Sequence, residues 1–113
     1  MTRIQITIGD LSVTAKLDES KTTGMVLDAL PIESRAQLWG AEVYFSIPVD
    51  AEEENAQADV PSGGVAYWPP GKALCLFFGQ KPYSPVNVIG EIEGDAKVLA
   101  SVSEGEAVRV EKI

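Results

Sequence analysis

Four polar side chains that could carry chemistry lie on two stretches where polar and apolar residues alternate. Arg35 and Gln37 belong to the first stretch, and Glu42 and Tyr44 to the second. Because successive strand residues point to opposite faces, we expect all four to project away from the core into one cleft. A guanidinium, a carboxyl and a phenol there could orient a carbonyl, amide or carboxylate group, or transfer a proton. The same residues would equally suit a structural ion-pair network.

Large aromatic side chains are the second candidate feature, in a chain that is only 7% aromatic. Trp39 precedes Glu42, whereas Tyr67, Trp68 and Phe78 lie in a segment that also contains the turn Pro69-Pro70-Gly71. Tyr67 and Trp68 are neighbours on one strand, so one of them should face away from the interior. Each aromatic residue could belong to the core or line an apolar ligand pocket. These four residues and the four polar ones form the predicted ligand-binding set.

The residue types that are missing exclude more chemistry than the residues present support. The chain has no histidine, which excludes Ser-His-Asp and Cys-His nucleophile activation and imidazole metal sites. Its single cysteine, Cys75, can form neither an intrachain disulfide nor a thiolate zinc site, and its apolar neighbours predict a buried, inert thiol. The acidic segment 50–59 matches no calcium loop and is interpreted as a solvated loop. We therefore expect no metal and no cofactor.

Charge and length limit the classes of partner and the number of domains. A formal net charge of -8 would repel phosphate backbones and anionic lipids, so neither nucleic acid nor a membrane is an expected partner. The first residues alternate between polar and apolar and do not form a signal peptide, which favours a cytoplasmic protein. The 113 residues are predicted to form one domain, 1–113.

The elements that must position the candidate residues are mostly short strands. Alternation predicts a hairpin around Gly9-Asp10, strands over 32–39 and 42–47 with a bulge or tight bend at Gly40, and two strands joined at Pro69-Pro70-Gly71. Two further strands are predicted over 86–92 and 107–111.

Apolar residues at helical spacing predict two short helices. One follows the N-cap candidates in 18–20, and Gly24 within it is interpreted as a close contact with a strand; the other begins at Asp95. The prediction is mainly β: a closed eight-stranded antiparallel barrel with two short helices.

Several motifs together resemble the small bacterial and archaeal cyclophilin-like family of uncharacterised function. The resemblance covers nearly the whole chain and rests on Leu30-Pro31, Trp39-Gly40, Glu42-Val43-Tyr44-Phe45-Ser46-Ile47-Pro48, Ala66-Tyr67-Trp68-Pro69-Pro70-Gly71, Cys75, Phe77-Phe78-Gly79 and Ser84-Pro85-Val86-Asn87. It implies a cyclophilin-like β-barrel and no particular activity. Prolyl isomerases of cyclophilin type use a cleft arginine, and Arg35 is the arginine that best matches it.

Three classes of function remain open after this reading. The first is a module that binds a small molecule or a peptide, which needs only an aromatic cleft and a few polar anchors. The second is an enzyme, either a peptidyl-prolyl cis-trans isomerase or another catalyst that works through Glu42, Tyr44 and Arg35. The third is a purely structural or assembly role. We rank the binding module first.

Overall fold

The computed structural model describes residues 2–79, 82 and 84–113, and these residues form a mainly β structure. The described elements are β1 (Thr2–Ile8), β2 (Leu11–Leu17), α1 (Lys21–Asp28), β3 (Ile32–Arg35), β4 (Gln37–Leu38), β5 (Glu42–Ser46), β6 (Gly64–Trp68), a 3-10 turn (Pro69–Gly71), β7 (Ala73–Phe77), β8 (Asn87–Ile92), a 3-10 helix (Ala96–Ser101) and β9 (Ala107–Lys112). The strands form one antiparallel sheet in the order β3-β9-β1-β2-β8-β6-β7-β5-β4.

The described part of the chain has nine strands instead of the predicted eight because one predicted strand divides at Ala36. The backbone N–H of Ala36 donates to the carbonyl of Glu106, and its own carbonyl accepts from Gly105. Residues before Ala36 therefore pair with β9, whereas residues after it pair with β5. Because β3 and β4 lie at opposite ends of the strand order, this switch nearly closes the sheet into a barrel, and the predicted fold class is confirmed.

The interior of the barrel is filled by one face of the strands. Its fully buried side chains alternate with outward-facing residues along each strand, and the largest of them are Tyr67, Phe45, Ile4, Ile6, Ile8, Leu17, Ile32, Leu74, Leu76 and Ile89. Val43, Phe45 and Ile47 are buried as the alternation predicts. Leu38 was expected on the same inward face but is 36% exposed, because β4 lies at the end of the strand order and pairs only with β5.

A second apolar cluster lies on the outer face of β6 and β7. It consists of Val60, Ala66, Cys75, Phe77 and Val86, with Tyr44, Trp68 and Val88 packed against it. Val60 and Val86 come from connecting segments, so the chain covers a sheet face that would otherwise meet solvent. Val60 can pack this closely on the sheet because residue 64 is glycine: a Cβ on Gly64 would lie 2.2 Å from Cγ1 of Val60. We call this set the outer cluster.

Side-chain caps fix the two helices where the sequence predicted their starts. The hydroxyl of Ser20 accepts from the N–H of Thr23 at 3.2 Å, and the carboxylate of Asp95 accepts from the N–H of Lys97 at 3.0 Å. The interpretation of Gly24 was wrong: it is exposed, and a Cβ there would have nothing within 4 Å.

The acidic segment 50–59 is more than a solvated loop, because Glu54 caps helix α1 from a distance. Its carboxylate accepts from the N–H of Thr22 at 2.9 Å, from the hydroxyl of Thr22 at 2.7 Å and from the N–H of Lys21 at 3.2 Å. The buried amide of Asn87 then joins the loop to the helix, bonding to Thr22 Oγ1, to the carbonyl of Glu52 and to the N–H of Glu54. A network that satisfies each of these groups holds the loop against the barrel.

Because of this cap, the free energy of unfolding should decrease as the pH falls into the acid range. The hydrogen bonds from Thr22 lower the pKa of Glu54, so its contribution to folding is complete above the unfolded-state pKa and is lost as the pH falls through the folded-state pKa. We expect Glu54→Gln to lower the unfolding free energy at neutral pH and to flatten its decline toward about pH 3, measured by urea denaturation. Glu53→Gln, an exposed neighbour, is the control. Superimposable pH profiles for the wild type and Glu54→Gln would contradict this role.

Candidate functional site

An apolar cavity of about 240 Å³ opens beside the outer cluster. It lies on the outer face of the sheet and not at an opening of the barrel, and its described lining consists of Trp39, Glu42, Tyr44, Trp68, Cys75, Pro82 and Val86. We call this hollow the aromatic cavity. Four of the eight residues in the predicted set line it, namely Trp39, Glu42, Tyr44 and Trp68.

The hairpin between β4 and β5 brings three of these residues together. Gly40 and Ala41 reverse the chain, with Gly40 at a φ of 54° that favours glycine, so the bend predicted at Gly40 is present. The N–H of Trp39 donates to the carbonyl of Glu42 at 3.0 Å, which makes these residues cross-strand neighbours. Tyr44 follows Glu42 by two residues and therefore shares its face.

Trp68 forms the other aromatic wall and is held from two sides. Its indole N–H donates to the hydroxyl of Ser84 at 2.6 Å. The ring also packs on the turn after β6, because a Cβ on Gly71 would lie 2.3 Å from Cζ3 of Trp68. Gly71 in the Pro-Pro-Gly turn thus leaves the space that the indole of Trp68 occupies beside the cavity.

Tyr67 faces the opposite way from Trp68, as strand alternation requires. It is fully buried in the barrel, where its hydroxyl donates to the carbonyl of Val49 at 2.6 Å and accepts from the N–H of Ala51 at 3.1 Å. The structure therefore places Tyr67 in the core, where it secures the strand's inner face and the start of the acidic segment.

Glu42 supplies the only carboxyl among the described lining residues. Only 6% of Glu42 is exposed, and burial raises the pKa of its carboxyl, although a hydrogen bond from Cys75 partly opposes this. Burial, the nearby charge of Glu42 and their hydrogen bond together raise the pKa of the Cys75 thiol. The thiol is therefore protonated and buried, as predicted, and it is a donor to the carboxyl instead of a nucleophile.

Besides Tyr67, three predicted residues lie away from the aromatic cavity. Arg35 is exposed on β3 and donates to the carbonyl of Gly105 at 3.1 Å, so it forms no ion pair with Glu42. Gln37 pairs with Tyr44 across the β4–β5 ladder but is exposed and does not line the cavity. Phe78 packs against the main core. Arg35 is separated because the strand that was expected to carry it beside Glu42 divides at Ala36.

Sequence reasoning missed Cys75, Pro82 and Val86 as lining residues. Cys75 lies directly opposite Tyr44 in the β5–β7 register, a pairing that the sequence does not reveal. Val86 reaches the cavity through the antiparallel bridge between Gln57 and Val86, which joins two connecting segments. The apolar neighbours of Cys75 predicted only a buried thiol, and Val86 was predicted only as the start of a strand.

A second hollow, of about 570 Å³, lies near the start of β6 and contains none of the predicted residues. Its lining includes residues 61–64 and 88–92, and its acids besides Glu91 are Asp18 and Asp95. Both carboxylates already accept hydrogen bonds at the starts of the two helices. The smaller aromatic cavity is the better candidate site because it combines apolar walls with one nearly buried carboxyl.

Comparison with known proteins establishes the family. A nearly closed antiparallel barrel with short capped helices defines the architecture, and the family model described as Cyclophilin-like matches residues 2–111. The chain therefore belongs to the cyclophilin-like family.

Solved structures that are similar to this chain include the following two. The hypothetical protein AF2241 from Archaeoglobus fulgidus, a solution structure, is 40% identical with a TM-score of 0.86, and the match covers 99% of this chain and 95% of that one. McbB in complex with tryptophan is 20% identical with a TM-score of 0.77, over 96% of this chain and 44% of that one. No curated protein gives a significant match. No helix within the described residues is long and apolar enough to cross a membrane.

The buried carboxyl should cost stability when it ionises. Because the pKa of Glu42 is raised in the folded state, the folded protein loses stability relative to the unfolded chain as the pH rises from the unfolded-state pKa to the folded-state pKa. We expect Glu42→Gln to raise the melting temperature at neutral pH by a few degrees, which corresponds to a gain in unfolding free energy on the order of 1 kcal/mol. The same substitution should have little effect on the melting temperature in acid. Glu53→Gln is the control for the change in net charge. A lower melting temperature at neutral pH would show that Glu42 stabilises the fold instead.

Proposed function

We propose that the protein is a small-molecule-binding module whose ligand occupies the aromatic cavity. The observation that carries this proposal is the joining of two tryptophans and a tyrosine around one nearly buried carboxyl. An ionisable group that weakens the fold when charged is characteristic of a site kept for binding. Trp39 is 46% exposed and lines the cavity, so part of its ring is accessible to a ligand.

The dimensions of the cavity favour a compact, flat ligand. An engineered apolar cavity of roughly 150 Å³ is known to hold benzene, so about 240 Å³ suits a molecule with a fused two-ring body or a similar apolar group. The faces of Trp39, Tyr44 and Trp68 would stack against such a body at little entropic cost. A peptide ligand would enter only through one side chain.

The structural neighbour guides the choice of probe. McbB, whose solved complex contains tryptophan, shares the fold with this chain at 20% identity. That likeness concerns the fold, and it makes indole compounds a reasonable first set to test in the aromatic cavity.

Prolyl isomerisation is not supported by the arrangement of the residues. The reaction as carried out in cyclophilins relies on a cleft arginine, whereas Arg35 is bonded to Gly105 on a different part of the sheet. No observation on the described residues favours an enzyme over a binding module.

Ligand-observed NMR and tryptophan fluorescence with indole and a panel of small metabolites test the proposal. We expect saturable binding that quenches or shifts tryptophan emission, and we expect Trp39→Ala to weaken it by about tenfold or more. Val98→Ala, which removes a side chain of similar exposure on the 3-10 helix Ala96–Ser101, is the matched control. Absence of any saturable binding, or equal weakening by both variants, would contradict the proposal.

A further inference from the structure

The polar groups that line the aromatic cavity are suited to a positive charge. Glu42 supplies the single carboxyl of the described lining, and no Lys or Arg is among those residues. The indole N–H of Trp68 is already bonded to Ser84, so it is not available to an anionic ligand. Among the described lining residues an anion would therefore meet a carboxyl and aromatic side chains but no cationic partner, which is costly in an apolar site.

The aromatic walls reinforce this preference. The faces of tryptophan and tyrosine carry negative partial charge and attract ammonium groups, most strongly where water is excluded. The formal net charge of -8 of the whole chain also favours approach of a cation. A carboxylate at one wall and three aromatic rings around it can hold an ammonium group and its apolar body together.

We propose that the ligand carries a protonated amine on an apolar, preferably aromatic, body, that this amine pairs with the carboxylate of Glu42, and that its uptake expels a proton from that carboxyl to solvent. The inference rests on the proposed binding function and specifies the ligand class. At a pH where the carboxyl of the empty site is still protonated, R–NH3⁺ enters, that carboxyl loses H⁺ to solvent, and an ion pair forms without any other bond change.

The groups around Glu42 explain why binding of an ammonium group favours ionisation of its carboxyl. Cys75 on β7 and Tyr44 on β5 are the other titratable groups of the described lining, and neither a thiol nor a phenol can supply a positive charge. β4 contributes the uncharged Gln37, Phe77 lies opposite Glu42 on β7, and Arg35 at the end of β3 is bonded to Gly105. With no cation supplied by these residues, an incoming ammonium group becomes the counter-ion that makes ionisation favourable.

The test compares two probes that differ in one group, tryptamine and its neutral analogue 3-(2-hydroxyethyl)indole. We expect wild-type protein to bind tryptamine at least about tenfold more tightly, a difference of about 1.4 kcal/mol. Glu42→Gln should remove that preference while retaining binding of the alcohol, and Glu53→Gln should leave both affinities unchanged. Melting temperatures confirm that each variant is folded.

Calorimetry in two buffers of different ionisation enthalpy tests the proton step. At a pH where the empty carboxyl is still partly protonated, the observed heat for tryptamine should differ between the buffers in the sense of proton release, and this difference should vanish in Glu42→Gln.

Equal binding of the amine and the alcohol by wild type would overturn this inference and leave the proposed binding function intact. A preference for tryptamine that survives Glu42→Gln, or heats that do not depend on the buffer, would also overturn it. If neither probe binds, the inference fails, and the panel of metabolites decides the broader proposal separately.

Discussion

The interaction on which the site depends is the packing of Val60 and Val86 against the outer face of β6 and β7. An antiparallel barrel normally leaves that face to water, and a glutamate there would be an ordinary exposed acid. Here connecting segments cover the face, so that Glu42 is buried on the outside of the barrel. The covering segments are therefore the common cause of the desolvated Glu42 carboxyl and of the aromatic walls beside it.

The rest of the fold holds this cover in place. The network of Thr22, Glu54 and Asn87 joins helix α1 to the acidic segment and to β8. One residue before Asn87, Val86 pairs with Gln57 through two backbone hydrogen bonds of 2.8 and 2.9 Å. The same segments that stabilise the helix thus carry the residues that close the outer cluster, which links the stability of the fold to the shape of the site.

Patterns of period two were sufficient to predict the barrel and one side of the site. Alternation placed Glu42 and Tyr44 on one face, identified the bend at Gly40 and showed that Tyr67 and Trp68 must diverge. Alternation describes one strand at a time, however, and it does not reveal when a strand changes partner. The switch at Ala36 took Arg35 to β9, and no local signal in 32–38 distinguishes it from a continuous strand. Cys75 and Val86 entered the site through long-range register, which composition and spacing do not encode.

The central claim is that the carboxyl of Glu42 is removed from water by the covered outer face, and its ionisation can be followed directly. A ¹³C NMR titration of the glutamate side-chain carboxyl carbons, with the Glu42 signal assigned through Glu42→Gln, follows this group directly. Because burial raises its pKa, the carboxyl of Glu42 should titrate clearly above the ordinary range of a glutamate carboxyl in the empty protein. Titration of Glu42 within that ordinary range would show that water reaches the carboxyl freely, and it would contradict the claim.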